Sequence, residues 1–196
     1  MAKFRNFSAD QQVTVDKVYR ASRLTLERAV KDFDSTKFRQ TFAEVMGAGA
    51  GARAAEEVLK KELTNMFMRI GTLSFSVEYD AGLGAHTNAN MLSFAGASPD
   101  EVTNTVDSYR SGAGVADMMP MKLGPPFFAM PYSSLTQQSQ IETFIHELSH
   151  HAAGAIDDTN GGECYGQTGV TRLMGLGAAR AVRNAENIGW FCMRYA

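Results

Sequence analysis

Two histidines and a glutamate near position 150 have the types and spacing of a metal-dependent hydrolytic site. His146 and His150 are four residues apart, so on a helix both imidazoles project from the same face and can bind one metal ion. Glu147 follows the first of them and can reach a water molecule on that ion without displacing it. Zinc suits two imidazoles and a carboxylate with a water in the open fourth position, and it lowers the pKa of that water to about 7. This segment therefore predicts a zinc-dependent hydrolase with Glu147 as the general base.

The third zinc ligand must come from outside this segment. Position 156 is Ile, which excludes the pattern in which a third His stands six residues after the second. Asp157 is the nearest acidic candidate, and Gly154 lets the chain turn back towards the metal directly after the helix. Asp158 is its direct rival, because adjacent side chains point in different directions and only one of the two is expected to bind. The more distant alternatives are Glu163 and Glu186.

A helix must hold both histidines on one face. Ser134 and Gln137 form a capping box, which predicts a helix from Ser134 to about Ala153 that ends at Gly154. Its apolar residues make it a buried element: Ile141, Phe144, Ile145 and Leu148. Ionisable side chains on a buried helix need a partner or a metal. The context therefore favours a metal site over a chance match on a solvated helix face.

Helical spacing of apolar residues recurs elsewhere in the chain. It predicts helices over residues 9–33, 35–46 and 52–70, so the first third of the sequence is expected to be helical. Ser8 and Gln11 form a capping box at the start of the first of these helices. A final helix is predicted over about 171–194.

The middle of the chain predicts strands. Residues 73–79 alternate between apolar and polar types as in a half-buried strand, and a second strand is predicted near 90–95. Residues 118–130 are apolar but contain three prolines, which favours an edge strand or an ordered loop over a central strand. The sequence thus predicts a mainly helical α+β fold with a small antiparallel sheet. No repeat or linker divides residues 1–196, so a single domain is expected.

Charge and apolar content limit the partners of the chain. The 19 Lys and Arg residues nearly balance the 21 Asp and Glu residues, and no basic run exists that would follow a phosphate backbone or an anionic membrane. No window approaches the roughly 20 apolar residues that a membrane helix needs. We therefore expect neither a nucleic acid nor a membrane as a partner, and the oligomeric state stays open.

Cysteine content and the first residues bear on location. Cys164 and Cys192 are too few to fix a redox compartment, and whether they pair stays open. The first residues lack the apolar stretch of a secretory signal. We expect secretion or delivery outside the cell by a route without a recognisable signal peptide, with a cytoplasmic location as the alternative.

Several segments in about the last 75 residues resemble the aspzincins, the deuterolysin and peptidyl-lysine metalloendopeptidase group. Gly154-Ala155-Ile156-Asp157 is similar to the Gly-Thr-x-Asp that follows the zinc helix in that family. The other similar segments are Gly124 to Pro131, Ser139-Gln140, Tyr165-Gly166 and Asn184 to Phe191. Two departures stand beside them. Ala155 stands where the family has Thr. Seven residues separate Asp157 from Tyr165, whereas the family usually has two residues between the corresponding Asp and Tyr.

The resemblance implies a zincin-like fold and a role for each matching residue. His146, His150 and Asp157 would hold Zn²⁺, and Glu147 would be the base. Tyr165 would donate its hydroxyl to the oxygen that gains negative charge as water attacks the peptide carbonyl. The implied activity is that of a zinc endopeptidase with a protein or peptide substrate.

Two other functions stay open from the sequence. In a non-catalytic binding protein, zinc would link the last two helices through four protein ligands. Cys164 or Glu163 would then be the fourth ligand. A delivered bacterial toxin of the same fold would cleave a narrow protein target, which fits the small size and the few cysteines. A metal-bound water beside Glu147 would favour an enzyme over the first of these.

Overall fold

A computed structural model describes residues 2–72, 75–83, 89–90, 120–159 and 161–196. In chain order its elements are β1 Lys3–Arg5, α1 Ala9–Lys31, α2 Thr36–Val45, α3 Ala52–Ile70, β2 Ser76–Tyr79, β3 Ala89–Asn90, β4 Met121–Leu123, α4 Pro125–Ala129, α5 Gln140–Ala153, α6 Gly166–Leu176, α7 Ala178–Ala181 and α8 Ala185–Met193. In this part of the chain, no helix has both the length and the apolar content needed to cross a membrane.

The first three helices form where the apolar spacing predicts them. Ser8 caps α1 with the reciprocal bonds of a capping box, its hydroxyl accepting from Gln11 N–H while the Gln11 side chain accepts from Ser8 N–H. Ser35 is the N-cap of α2, and its hydroxyl accepts from Phe38 N–H. The buried faces of these helices carry large apolar side chains into one core, among them Leu26, Phe38 and Leu63.

The sheet is mixed and mostly parallel, so the prediction of an antiparallel sheet is wrong. Its strands lie in the order β1-β2-β4-β3, with β1–β2 and β2–β4 parallel and only β3–β4 antiparallel. The reason lies in the connections, because β1 and β2 are separated by three helices and such crossovers allow parallel pairing. The α+β class itself is confirmed. Of the strand predicted at 90–95, Asn90 lies in β3 and residues 91–95 fall outside the described residues.

Strand β4 lies between two neighbours, contrary to the expectation of an edge strand or loop over residues 118–130. Met121 and Leu123 are both buried in the core. The prolines do not interrupt the strand, because Pro125 and Pro126 come after it and open the first turn of α4, where a missing N–H does no harm.

Helix α5 lies at the centre of the fold and begins later than the sequence predicts. Ser134 does accept from the N–H groups of Thr136 and Gln137, but in a turn that precedes the helix. Ser139 is the true N-cap, and Gly154 ends the helix in the left-handed conformation with φ 67°. The whole stretch from its first residue to Ala152 is buried, because α5 packs against α1, α3 and α8.

The predicted helix over 171–194 is divided into α6, α7 and α8. Gly177 separates α6 from α7 with φ 114° and ψ 150°, a conformation that glycine adopts easily and that no helix contains. Asn184, with extended φ and ψ, separates α7 from α8 and pairs with Ile156 in an isolated parallel bridge. These breaks bring the loop that follows α5 against the start of α8.

Candidate metal centre

His146 and His150 lie one turn apart on α5, and their Nε2 atoms approach each other to 3.2 Å. Both rings are buried, with exposed fractions of 6% and 3%. The helical spacing brings the two rings together on one face, and their planes lie 80° apart. The motif thus presents two imidazole nitrogens to a single point.

The other nitrogen of each ring is held by an acceptor. His150 Nδ1 donates to the carbonyl oxygen of Ala155 at 2.7 Å, and His146 Nδ1 donates to Glu186 Oε2 at 3.0 Å. A ring that donates through Nδ1 keeps its lone pair on Nε2. Such contacts fix the tautomer and orientation of metal-binding histidines.

Asp157 reaches the same point from the loop after α5. Its Oδ1 lies 3.3 Å from His146 Nε2 and 3.5 Å from His150 Nε2. The turn at Gly154 sends the chain back, and the backbone of Ile156 then pairs on both sides, donating to Arg183 O and accepting from Ala185 N–H. Burial opposes the charged carboxylate, but the two histidines outweigh it and lower the Asp157 pKa.

The three atoms match what zinc requires. Ligand atoms at the corners of a tetrahedron with bonds of 2.0–2.1 Å lie about 3.3 Å apart, and the three separations here run from 3.2 to 3.5 Å. Asp157 Oδ1 is buried without a hydrogen-bond donor, which leaves it available to a cation. Burial also opposes a charged His146, yet the carboxylates of Asp157 and Glu186 raise its pKa well above the ordinary value. The surroundings therefore favour positive charge at this point.

Glu147 and Tyr165 complete the surroundings of this centre. Glu147 follows His146 on α5, is 8% exposed, and lies close enough for its charge to raise the pKa of both His146 and Tyr165. Tyr165 is 42% exposed, and its hydroxyl donates to Asp157 Oδ2 at 2.9 Å. Its ring lies 6.0 Å from that of His146 and is nearly parallel to it. Burial and the Asp157 charge raise the pKa of the phenol.

The other acidic candidates point elsewhere. Asp158 accepts a forked pair of bonds from Arg180 at 2.9 and 2.7 Å. Glu163 accepts from the N–H groups of Cys164 and Tyr165. Both cysteines are buried free thiols, so the pairing that the sequence left open does not form. Among the described residues, neither Glu163 nor Cys164 joins the cluster formed by the two histidines and Asp157.

Glu186 has a role that sequence reasoning missed, since it was considered only as an alternative ligand. It is fully buried and accepts three bonds, from His146 Nδ1, Trp190 Nε1 and Gly166 N–H. A carboxylate behind a metal-binding imidazole raises the basicity of the ligand. The only signal in the sequence is its place in the Asn184 to Phe191 segment that resembles the aspzincins.

Glu142 is a second carboxyl group behind the centre. It precedes His146 by one helical turn, and the ligand atoms of Glu142, His146 and Glu186 lie within 4.8 Å of one another. Burial, followed by the charge of Glu186, raises its pKa well above the ordinary value. Burial and the neighbouring carboxylate therefore disfavour the charged form of Glu142, while Glu186 accepts from His146 Nδ1.

Comparisons with known proteins agree with this geometry. The family model for aspzincins, described as lysine-specific metallo-endopeptidase, matches residues 115–193, which include the whole cluster. A solved structure of a zinc peptidase from Grifola frondosa is similar over 96% of this chain and 97% of that chain, with a TM-score of 0.66 and 19% sequence identity. No curated protein matches the sequence. The predicted resemblance is therefore confirmed, and zinc is the metal that these similarities indicate.

Proposed function

We propose that this chain, an aspzincin-type zinc metalloendopeptidase, holds its zinc with His146, His150 and Asp157 and uses Glu147 as the base that hydrolyses the peptide bond. The observation that carries the proposal is the convergence of three acceptor atoms to separations of 3.2 to 3.5 Å, two of them on the helix turn that carries Glu147. Each histidine is oriented by its own partner, so the ligand set is preformed.

Zinc, when bound, polarises the scissile carbonyl and lowers the pKa of the attacking water to about 7. Glu147, which follows His146 on the same turn of α5, would remove a proton from the attacking water. The same carboxyl group then returns the proton to the leaving amine, which could not depart as an anion. The low exposure of Glu147 keeps bulk water from competing for this proton.

Tyr165 supplies a hydrogen-bond donor at the entrance to the site. Its hydroxyl donates to Asp157 Oδ2 in the structure, and the ring is the partly exposed element of the cluster. We propose that a bound substrate draws this O–H towards the carbonyl oxygen as negative charge develops there. Removing a donor to the developing oxyanion typically lowers kcat by about 10²–10³.

The substrate is proposed to bind as an extended strand. Strand β4, which precedes Pro125, already has a neighbour on each side and offers no free edge. Among the described residues, β3 pairs with β4 alone, and it lies against the zinc helix α5. Strand addition beside β3 would therefore place a peptide across the metal centre.

An enzyme is favoured over the non-catalytic binding protein by the number of ligands. A structural zinc site is closed by four protein ligands, whereas a catalytic site keeps one position for water. In the described part of the chain the cluster has three members, and the candidates for a fourth are held by other partners or lie outside the cluster.

The test is the substitution Glu147→Gln, which keeps the size of the side chain and removes the base. We expect kcat on an unstructured polypeptide to fall by at least about 100-fold, while the protein still binds one zinc per chain. The matched control is Glu44→Gln, at an exposed position of α2, which should keep wild-type kinetics. Wild-type turnover by a zinc-loaded Glu147→Gln protein would rule out the proposed base.

A further inference from the structure

The loop from Asp157 to Tyr165 has to close on itself at the metal centre. Its two ends meet there, since Tyr165 Oη donates to Asp157 Oδ2 at 2.9 Å. Seven residues lie between them, more than the resembled family usually has. A loop of this length loses conformational entropy when its ends are held together, so contacts elsewhere must hold the intervening residues in place.

Arg172 of α6 binds two separate points of this loop. Its Nε donates to the carbonyl oxygen of Glu163 and its Nη2 to that of Asp158, both at 2.6 Å. The same side chain lies under the turn at Gly161 and Gly162, where a Cβ on Gly162 would come within 3.5 Å of Arg172 Cδ. Both glycines have positive φ, 89° and 139°, so the chain can wrap around the guanidinium.

Arg180 of α7 fixes the residue next to the proposed ligand. Its guanidinium donates through Nε and Nη2 to the two carboxylate oxygens of Asp158, a forked geometry that arginine provides and lysine does not. Asp158 N–H also donates to the Asn184 side chain at 3.1 Å. With Asp158 held on this side, the adjacent Asp157 side chain faces the histidines.

We infer that Arg172 and Arg180 are positioning residues that preorganise the ligand loop and thereby set its affinity for zinc. The inference rests on the proposed function, in which Asp157 is a ligand. Without the two guanidiniums, the loop would populate conformations in which Asp157 does not face the histidines. The apparent zinc dissociation constant would then rise in inverse proportion to the fraction of molecules that remain competent.

The experiment measures zinc affinity by competition with a chromophoric chelator, using the full chain. Arg172→Met and Arg180→Met keep a long unbranched side chain and remove the donors. We expect each to raise the zinc dissociation constant by about 10- to 100-fold, the usual effect of losing a group that orients a ligand. The matched control is Arg183→Met, an exposed side chain in the turn between α7 and α8, which should stay within about twofold of wild type.

Thermal unfolding of the zinc-free variants separates positioning from general stabilisation. If both Met variants unfold at lower temperature but bind zinc with wild-type affinity, the two arginines act only on stability and the inference is overturned. Should either Met variant fail to fold, the zinc affinities of Arg172→Lys and Arg180→Lys test the inference instead. Lysine keeps the positive charge but cannot donate two hydrogen bonds in the planar geometry of a guanidinium. An increase of at least threefold in their zinc dissociation constants is expected, and no increase overturns the inference.

Asp157→Asn distinguishes a failure of this inference from a failure of the proposed function. If Asp157→Asn weakens zinc binding and the arginine variants do not, the ligand set stands and the positioning role is wrong. If Asp157→Asn also binds zinc normally, the proposed ligand set is wrong, and the inference falls with it.

Discussion

At the scale of single residues, zinc binding depends on the groups that determine which ring nitrogen of each histidine carries a proton. Three polar neighbours of Glu186 all donate to its carboxylate: His146 Nδ1, Trp190 Nε1 and Gly166 N–H. His146 must then keep its second proton-binding nitrogen, Nε2, free for the metal. A single buried carboxylate therefore determines which nitrogen faces the zinc.

The substitution Glu186→Gln tests this dependence. Its amide oxygen would replace the acceptor for Trp190 and Gly166, which leaves an N–H₂ group facing His146 Nδ1. His146 would either lose this bond or shift its proton to Nε2, and both outcomes weaken its binding to zinc. We expect the zinc dissociation constant from chelator competition to rise by about 10- to 100-fold. An unchanged constant, with Glu44→Gln as the control, would contradict the role assigned to Glu186.

At the scale of elements, the close approach between α6 and the end of the ligand loop positions Tyr165. A Cβ on Gly169 would lie 2.1 Å from the carbonyl carbon of Cys164, and Gly169 N–H donates to Tyr165 O at 3.1 Å. Because the obstacle is backbone rather than a flexible side chain, any larger residue would push α6 away from the loop. Position 169 thus needs glycine for the close contact and not for an unusual φ.

The pair Gly169→Ala and Gly175→Ala tests this contact within one helix. Gly169→Ala should lower the free energy of unfolding by about 1–3 kcal/mol through overpacking, and should reduce kcat because Tyr165 moves with the loop. No atom lies within 4 Å of a Cβ added at Gly175, so alanine there should stabilise the helix by about 0.5–1 kcal/mol and leave kcat unchanged. Denaturant unfolding and steady-state kinetics measure both. Equal stability and activity for the two variants would refute the close contact.

Element boundaries show what a local pattern can and cannot predict. The capping box at Ser8 begins α1, whereas a similar pattern at Ser134 makes only a turn, and α5 begins after Ser139. Ser134 and Ser139 each accept from backbone N–H groups that follow them, so the local pattern does not tell which of the two begins the helix. Tertiary contacts determine the start, such as the Gln140 side chain donating to the carbonyl oxygen of Phe127. The direction of strand pairing was missed for the same reason, since β1 and β2 lie far apart in the chain.

At the scale of the whole molecule, the centre brings together α5, the loop after it and α8. The sequence alone predicts that His146 and His150 share a face, because helical spacing is a local property. It leaves Asp157 and Asp158 as rivals, because that choice is made by Arg180 and Asn184, which lie 22 and 26 positions after Asp158. Glu186 was missed as the partner of His146 for the same reason, as 40 positions separate them.

The most direct measurement of the central claim is a titration of zinc into chelator-treated protein, with bound zinc and cleavage of an unstructured polypeptide followed together. Among the described residues, His146, His150 and Asp157 bring three ligand atoms to one point, on the helix that also carries Glu147 and the loop that follows it. We therefore predict that cleavage is absent without metal, rises in proportion to bound zinc and saturates at one zinc per chain. Equal cleavage by the metal-free and zinc-loaded proteins, or the absence of stoichiometric zinc binding, would contradict the account.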